Sequence, residues 1–358
     1  NSGGVYTLNL SDIDPGNDTI SSWIVNWGDG SIGTYVGDPS SVTHTYSNGL
    51  AGFTFSITAS AIDEDGQYYE ADMWLPAYGG SELDVVDGYV GNVVDFFAVS
   101  DGLIGHANVV QKLDGNFLIS GHGSSNVLEY QPDGTLVGTF VTAGSGGLNG
   151  AAGMDFGADG NLYITSSNSG KVLRFDGTTG AFIDEFVSSG LNFPLGLTFG
   201  PDGDLYVASQ GSDGVLKFDG VTGILDATFN APPTGSTEDI TFGPDGNLYV
   251  SSLSNGVFRL NGTTGALIDN FVAINAGGLS SAAGVEFGPD GNLYVSDQNA
   301  NAVRRYDGTT GAYIDDYITP GGVPGPAYMV FTADHQVTVG TNAAPSANAA
   351  GPYAITEG

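Results

Sequence analysis

The sequence predicts an all-β chain, and three observations carry that prediction. Variants of Phe242-Gly243-Pro244-Asp245-Gly246-Asn247-Leu248-Tyr249-Val250 recur with the glycine of the Asp-Gly pair at Gly115, Gly160, Gly203, Gly246 and Gly291, spaced 45, 43, 43 and 45 residues apart. A second turn, Phe175-Asp176-Gly177-Thr178-Thr179-Gly180-Ala181, returns as Tyr306-Asp307-Gly308-Thr309-Thr310-Gly311-Ala312, with variants at 218–223 and 260–266. Between the turns lie short apolar runs rich in Leu, Tyr, Val and Phe, which favour strands. A fixed period in the forties with four short strands per unit is the signature of sheets arrayed radially, a β-propeller.

The first turn has a physical logic. Proline presets the backbone at the first corner, Asp-Gly supplies a position tolerant of positive φ, and the apolar run then leaves as a strand. Each unit is therefore expected to contain two hairpins.

Residues 1–80 lack this period. They alternate through expected strands at 5–10, 20–27, 41–46, 53–61 and 68–74, the pattern of a small β-sandwich. Within them, Trp23-Ile24-Val25-Asn26-Trp27-Gly28-Asp29-Gly30, then Thr43-His44-Thr45-Tyr46, then Phe53-Thr54-Phe55-Ser56-Ile57 leading to Asp63-Glu64-Asp65-Gly66, resembles the PKD family of immunoglobulin-like modules. The resemblance implies a spacer or carbohydrate-associated module of a bacterial surface or secreted protein.

The opening strand of that pattern is missing before Val5, and a similar one stands at 344–358. Residues 341–358 are thus expected to be a linker and the first strand of a following or neighbouring PKD-like module. Donation of 345–358 to the next copy, head to tail, would join copies by strand addition. A second module cut short is the alternative reading. The chain opens in mid-pattern, so it is expected to be an internal segment of a longer secreted protein.

The acidic loop at 11–18 carries Asp12, Asp14 and Asp18. Together with Asp63 they are candidate ligands for Ca²⁺, a hard cation that takes several oxygen atoms from flexible loops. An Asx-rich turn is the other reading.

Residues 83–340 are expected to form the propeller. Residues 83–97 align with 172–186 and read as the outer half of a unit, whereas 328–339 read as an inner half. Joined, they make a sixth blade from both ends and leave no open edge. The stretch 83–340 resembles the NHL-like six-bladed propellers. That resemblance implies scaffolds, ligand binders and some lyases and lactonases, without choosing among them.

Charge narrows the partners. With 7 basic and 40 acidic residues the formal net charge is −33, which repels phosphate backbones and anionic lipid, so neither nucleic acid nor a membrane is an expected partner. Cations are favoured, and an extracellular, salty or calcium-containing setting is expected. Cysteine is absent, which removes disulfides and thiolate chemistry. The basic residues Lys171, Arg174, Lys217, Arg259, Arg304 and Arg305 fall mostly on expected third strands, where pairing with neighbouring acids is their simplest role.

Turns alike in every blade specify a scaffold, while a specific site needs unlike loops. Those loops offer His106, Asn108, His122, Gln210, Glu238, Asp239 and Asp297, with Gln298, as candidate ligand-binding residues. Only His106 and His122 are placed to pair, and no carboxylate at a short fixed spacing supports either as a base, so no catalytic residue is assigned. The leading expectation is an extracellular filament, stalk or surface array whose copies are joined by strand donation. The alternatives are a secreted ligand- or carbohydrate-binding propeller and a lyase- or lactonase-type enzyme.

Overall fold

The computed structural model describes residues 5–9, 20–27, 32–37, 40–45, 58–63, 73–76, 82–86, 93–98, 102–131, 134–212, 214–288, 290–321 and 325–331. They fall into two compact units, the first of residues 1–72, 87–90 and 331–358 and the second of 73–86 and 91–330.

The first unit holds strands β1 (Val5–Asn9), β2 (Ile20–Asn26), β3 (Ile32–Val36), β4 (Ser41–Thr45) and β5 (Thr58–Asp63). β1 pairs antiparallel with β4, and β2 lies between β3 and β5. Alternation along β2 and just beyond it buries Trp23, Val25 and Trp27, as period-2 patterning requires. Trp27 stacks on His44 at 4.9 Å between ring centroids and donates its indole N–H to the Tyr35 hydroxyl at 3.3 Å. Two separate pieces of the sequence pattern thus meet in one contact.

The second unit is a β-propeller with five blades built from consecutive strands. Blade 1 comprises β9 (His106–Gln111), β10 (Phe117–Gly121), β11 (Asn126–Tyr130) and β12 (Leu136–Val141). Blade 2 follows with β13 (Ala151–Phe156), β14 (Leu162–Ser166), β15 (Lys171–Phe175) and β16 (Phe182–Val187). Blade 3 has β17 (Pro194–Phe199), β18 (Leu205–Ser209) and β19 (Gly214–Phe218). Blade 4 has β20 (Thr237–Phe242), β21 (Leu248–Ser252), β22 (Gly256–Leu260) and β23 (Leu267–Ala273), and blade 5 has β24 (Ala282–Phe287), β25 (Leu293–Asp297), β26 (Ala302–Tyr306) and β27 (Tyr313–Ile318). Within each, neighbouring strands pair antiparallel.

Turn chemistry behaves as its residues dictate. In blade 2 the Asp159 carboxylate accepts the Asn161 N–H at 3.1 Å and the Tyr163 hydroxyl at 3.0 Å, while Gly160 adopts φ of 74°. In the second turn Asp176 accepts the N–H of Thr178 and Thr179 and the Thr179 hydroxyl. The two turns press together backbone to backbone, so that a Cβ on Gly177 would collide with the Gly160 carbonyl oxygen.

The cores lie between blades. Tyr163 makes edge-on contact with Phe186 of its own blade at 4.8 Å and with Phe199 of the next at 4.9 Å, and Tyr206 and Tyr249 repeat the arrangement. Second strands such as β14 and β21 are buried at every residue, whereas the fourth strands expose their first half. The basic residues of the third strands pair with acids as expected: Arg174 with Asp184, Arg259 with Asp269 and Arg305 with Asp315.

Two details differ from expectation. Blade 3 has three strands instead of four, with only an isolated bridge from Phe218 to Leu225 beyond β19. The cause is local: Asp226 folds the chain into a turn by accepting the N–H and hydroxyl of Thr228, and Pro232-Pro233 follow, removing ladder donors. The other concerns the strand expected at 68–74 in the sandwich. A strand stands at β6 (Met73–Pro76) and pairs instead with β7 (Glu82–Val86), which pairs with β8 (Val93–Ala98); β28 (Val330–Phe331) completes the sheet in the order β28-β6-β7-β8.

Among the described residues this sheet takes three strands from the N-terminal side and one from the C-terminal side, where the sequence suggested two and two; 332–339 of the expected inner half lie outside the described residues. Only residues 77–81 separate β6 from β7 along the chain, which makes their pairing entropically cheap. Val330 packs against the blade 1 core of Val109, Phe117 and Ile119. No helix among the described residues is long and apolar enough to cross a membrane.

Candidate functional site

Equivalent positions in the blades build the site. On four of the five second strands a central hydroxyl donates to a carbonyl of the segment that follows the blade: Ser120 to Ala152 at 2.7 Å, Thr165 to Leu195 at 2.7 Å and Ser251 to Ala283, all three on the first strand of the next blade, and Ser296 to Ala327, just before β28, at 2.6 Å. Blade 3 has Ala208 at this position and no hydroxyl to offer. The carbonyl left over belongs to Glu238, and it accepts instead the hydroxyl of Tyr328 at 3.2 Å. Tyr328 itself stands where blades 2, 3 and 5 carry Gly153, Gly196 and Gly284. The repeat is broken twice, and the two breaks satisfy each other.

Two residues beyond the hydroxyl position come His122, Ser167, Gln210, Leu253 and Gln298. Each is pinned by its backbone N–H to the carbonyl of Gly105, Gly150, Phe193, Ser236 or Ser281 respectively. Four of the five line a cavity of about 170 Å³ with Ala152, Phe193, Leu195, Glu238, Ala327 and Tyr328. The fifth, Ser167, donates to the Gly150 carbonyl at 3.0 Å and sits 2.8 Å from His122 Nε2. Because the single serine proton is used on Gly150, His122 donates from Nε2 and keeps Nδ1 as an acceptor.

Phe193 has φ of 51°, where the equivalent Gly105 and Gly150 are glycines. A bulky residue in the left-handed region is strained, which points to a use for its ring in this position. That ring lies edge-on to His122 at 6.1 Å.

Burial sets the proton affinities. It pushes the His122 imidazole below its ordinary value and favours the neutral ring. Burial raises Glu238 to about 7, opposed by the hydrogen bond that Gln210 Nε2 donates at 2.9 Å. Next to it Asp239, raised to about 8 by burial, accepts the Val285 N–H at 3.1 Å. Asp155 is raised to about 6 and Glu286 to about 8 by burial, and the charges of Asp239 and Asp155 add to the shift at Glu286.

The candidates from sequence separate under this geometry. His122, Gln210 and Glu238 line the cavity together with Gln298. Asp239 lies beneath, in the buried carboxyl group. Asn108 occupies the matching position on β9, with its Oδ1 buried and no hydrogen-bond partner among the described residues. His106 begins β9, and its side chain lies outside the described residues. Asp297 does not line the cavity: wholly buried, it accepts the N–H and hydroxyl of Ser280, the N–H of Ser281 and the Nε of Arg304. Its work is structural, holding a loop and a buried guanidinium.

Asp12, Asp14 and Asp18 lie outside the described residues, as does 341–358, and Asp63 ends β5. Among the described residues no group of three or more His, Asp or Glu side chains is arranged to hold a metal. Sequence reasoning passed over Tyr328, Phe193, Asp155 and Glu286. The signal was available in the last two, which put a carboxyl where other blades carry Val110, Thr198 and Thr241.

The class defined by these sheets is the β-propeller, and solved structures agree. A catalytically inactive histidine-to-alanine variant of virginiamycin B lyase from Staphylococcus aureus, solved with quinupristin, is 15% identical with a TM-score of 0.54, covering 91% of this chain and 92% of that one. A protein of unknown function from Bacteroides caccae is 14% identical with a TM-score of 0.59, over 73% of this chain and 98% of that one. A chain of a nidogen/laminin complex is 16% identical with a TM-score of 0.57, over 72% and 97%. No protein-family model matches the sequence. No curated protein matches it.

Proposed function

We propose that this chain is a ligand-binding β-propeller whose inter-blade loops gather one small organic molecule in the cavity between His122, Gln210, Glu238 and Tyr328. One observation carries the reading: equivalent positions that a pure scaffold would keep alike hold His, Gln, Leu and Gln around a partly apolar cavity. The test is a fragment screen by protein-observed NMR, repeated on Gln210→Ala. Hits lost in the variant support the reading, and an unresponsive cavity rejects it.

A second reading, acid–base chemistry of the lyase kind, is favoured by Glu238 and His122 sharing the cavity, with burial raising Glu238 to about 7 and favouring the neutral imidazole of His122. The virginiamycin B lyase neighbour, solved with quinupristin, suggests where to look, and assays of lyase activity on quinupristin with His122→Ala as control would decide it.

Finer readings belong here too. We read the β28-β6-β7-β8 sheet as a sixth blade closing an NHL-like ring; the Ser296 to Ala327 hydrogen bond and the packing of Val330 on blade 1 support that closure. The Trp27–His44 stack supports a PKD-like, immunoglobulin-type identity for the first unit. Secretion, Ca²⁺ at the 11–18 loop and filament growth by donation of 345–358 rest on sequence alone. Light scattering in Ca²⁺ and in chelator, with and without 345–358, tests the last two.

A further inference from the structure

We infer that the cavity is built for a protonated organic amine with an apolar body, and that the Glu238 carboxylate is its counter-ion. The inference rests on the ligand-binding reading above.

All seven Lys and Arg residues of the chain are described, and each is used elsewhere. Lys112 pairs with Glu129 and Asp114, Lys171 with Glu185, Arg174 with Asp184, and Lys217 with Asp202 and Asp204. Arg259 pairs with Asp269, Arg304 with Asp297 and Asp316, and Arg305 with Asp315. Among the described residues Glu238 has no basic partner, only the neutral amide of Gln210. A carboxylate half-removed from water and lacking a cation gains most from a ligand that brings one.

The inventory of hydrogen-bonding groups points the same way. Cavity donors are largely spent inside the protein: the Tyr328 hydroxyl on the Glu238 carbonyl, the His122 Nε2–H on Ser167, one Gln210 N–H on Glu238. What remains is mostly acceptors, namely the Glu238 carboxylate and His122 Nδ1, with the Gln298 amide able to serve either way. An ammonium offers three donors and no acceptor, the complement of that set. Around it Phe193, Leu195, Leu253 and Tyr328 supply apolar walls and aromatic faces, which attract cations. The net charge of −33 opposes any anionic ligand.

The experiment compares three probes of one shape on the full chain at pH 8 by calorimetry and NMR: benzylamine, benzyl alcohol and benzoate. Benzylamine is expected to bind at least tenfold more tightly than the alcohol, benzoate not at all, and Glu238→Gln, which keeps the shape of the side chain, is expected to remove the preference. If the alcohol binds as tightly as the amine, or the preference survives in Glu238→Gln, the amine inference is overturned while the cavity remains a ligand site. If no probe shifts any cavity resonance, the ligand-binding reading falls with it. The preference measured on the unaltered chain does not depend on the variant folding.

Discussion

The two ends of each blade are built to opposite rules. At one end the Asp-Gly turn recurs in all five blades and the Asp-Gly-Thr-Thr-Gly turn or a variant of it in blades 2 to 5, and the turn carboxylates are met mainly by groups within a few residues, as around Asp159 and Asp176. At the other end equivalent positions hold unlike residues, and their partners come from far along the chain, as Glu238 and Tyr328 show. Local satisfaction makes a turn that can be copied; long-range satisfaction makes a site that occurs once. The comparison can be broken or sharpened by experiment.

The largest effect is expected at Asp297, which sits at the variable end but acts as scaffold. Asp297→Ala leaves Arg304, whose side chain is only 5% exposed, with Asp316 as its one remaining carboxylate beside the Gly277 carbonyl, and frees two serine N–H groups. It should cost about 3 kcal/mol in urea unfolding, the scale of removing one partner of a buried pair. A loss below about 1 kcal/mol would show that the variable end carries no scaffold function. At the constant end Gly177→Ala should cost about 1–3 kcal/mol by overpacking against Gly160, with cavity binding in the folded fraction unchanged. A change in affinity there would join the two ends energetically.

A pH series sharpens the comparison. Asp155, Glu238, Asp239 and Glu286 all hold their protons more tightly folded than unfolded, with folded values of about 6, 7, 8 and 8. Between about pH 4 and those values the native state binds the extra protons, so stability is full below about pH 4 and is lost as pH rises through 6 to 8. The slope should reach about 1.4 kcal/mol per pH unit for each carboxyl still protonated. Thermal scans should therefore show higher Tm at pH 5 than at pH 8, with Asp239→Asn flattening the slope. The constant-end Asp176 and Asp307, held below the usual range by threonine hydroxyls and N–H groups, act in the opposite sense and only as pH falls below about 4.

The smallest effect is the most specific. Tyr328→Phe should cost about 1 kcal/mol by orphaning the Glu238 carbonyl. In an Ala208→Ser background, where the hydroxyl of the other blades is restored, the same change should cost nearly nothing. Equal costs in both backgrounds would mean that Tyr328 does not stand in for the missing hydroxyl.

Much of the fold was readable in the residues because hairpin turns are local. Period, Asx chemistry, glycine positions and alternating apolar strands are satisfied within a few residues, so the order of strands in four blades and the ion pairs of Arg174, Arg259 and Arg305 follow from reading along the chain. His122, Gln210 and Glu238 were legible as departures from the repeat.

Tertiary structure decided the rest. Asp297 looked like a site residue until Arg304 and two serines were folded against it. The strand expected at 68–74 fitted a sandwich by alternation, and pairing of Met73–Pro76 with Glu82–Val86 settled the sheet of its described end. Tyr328 gained its role from a carbonyl 90 residues away, left over by an alanine in a third place. Sequence patterns record what each residue needs from its near neighbours; which distant group meets a need is settled only when the blades are brought together around one axis.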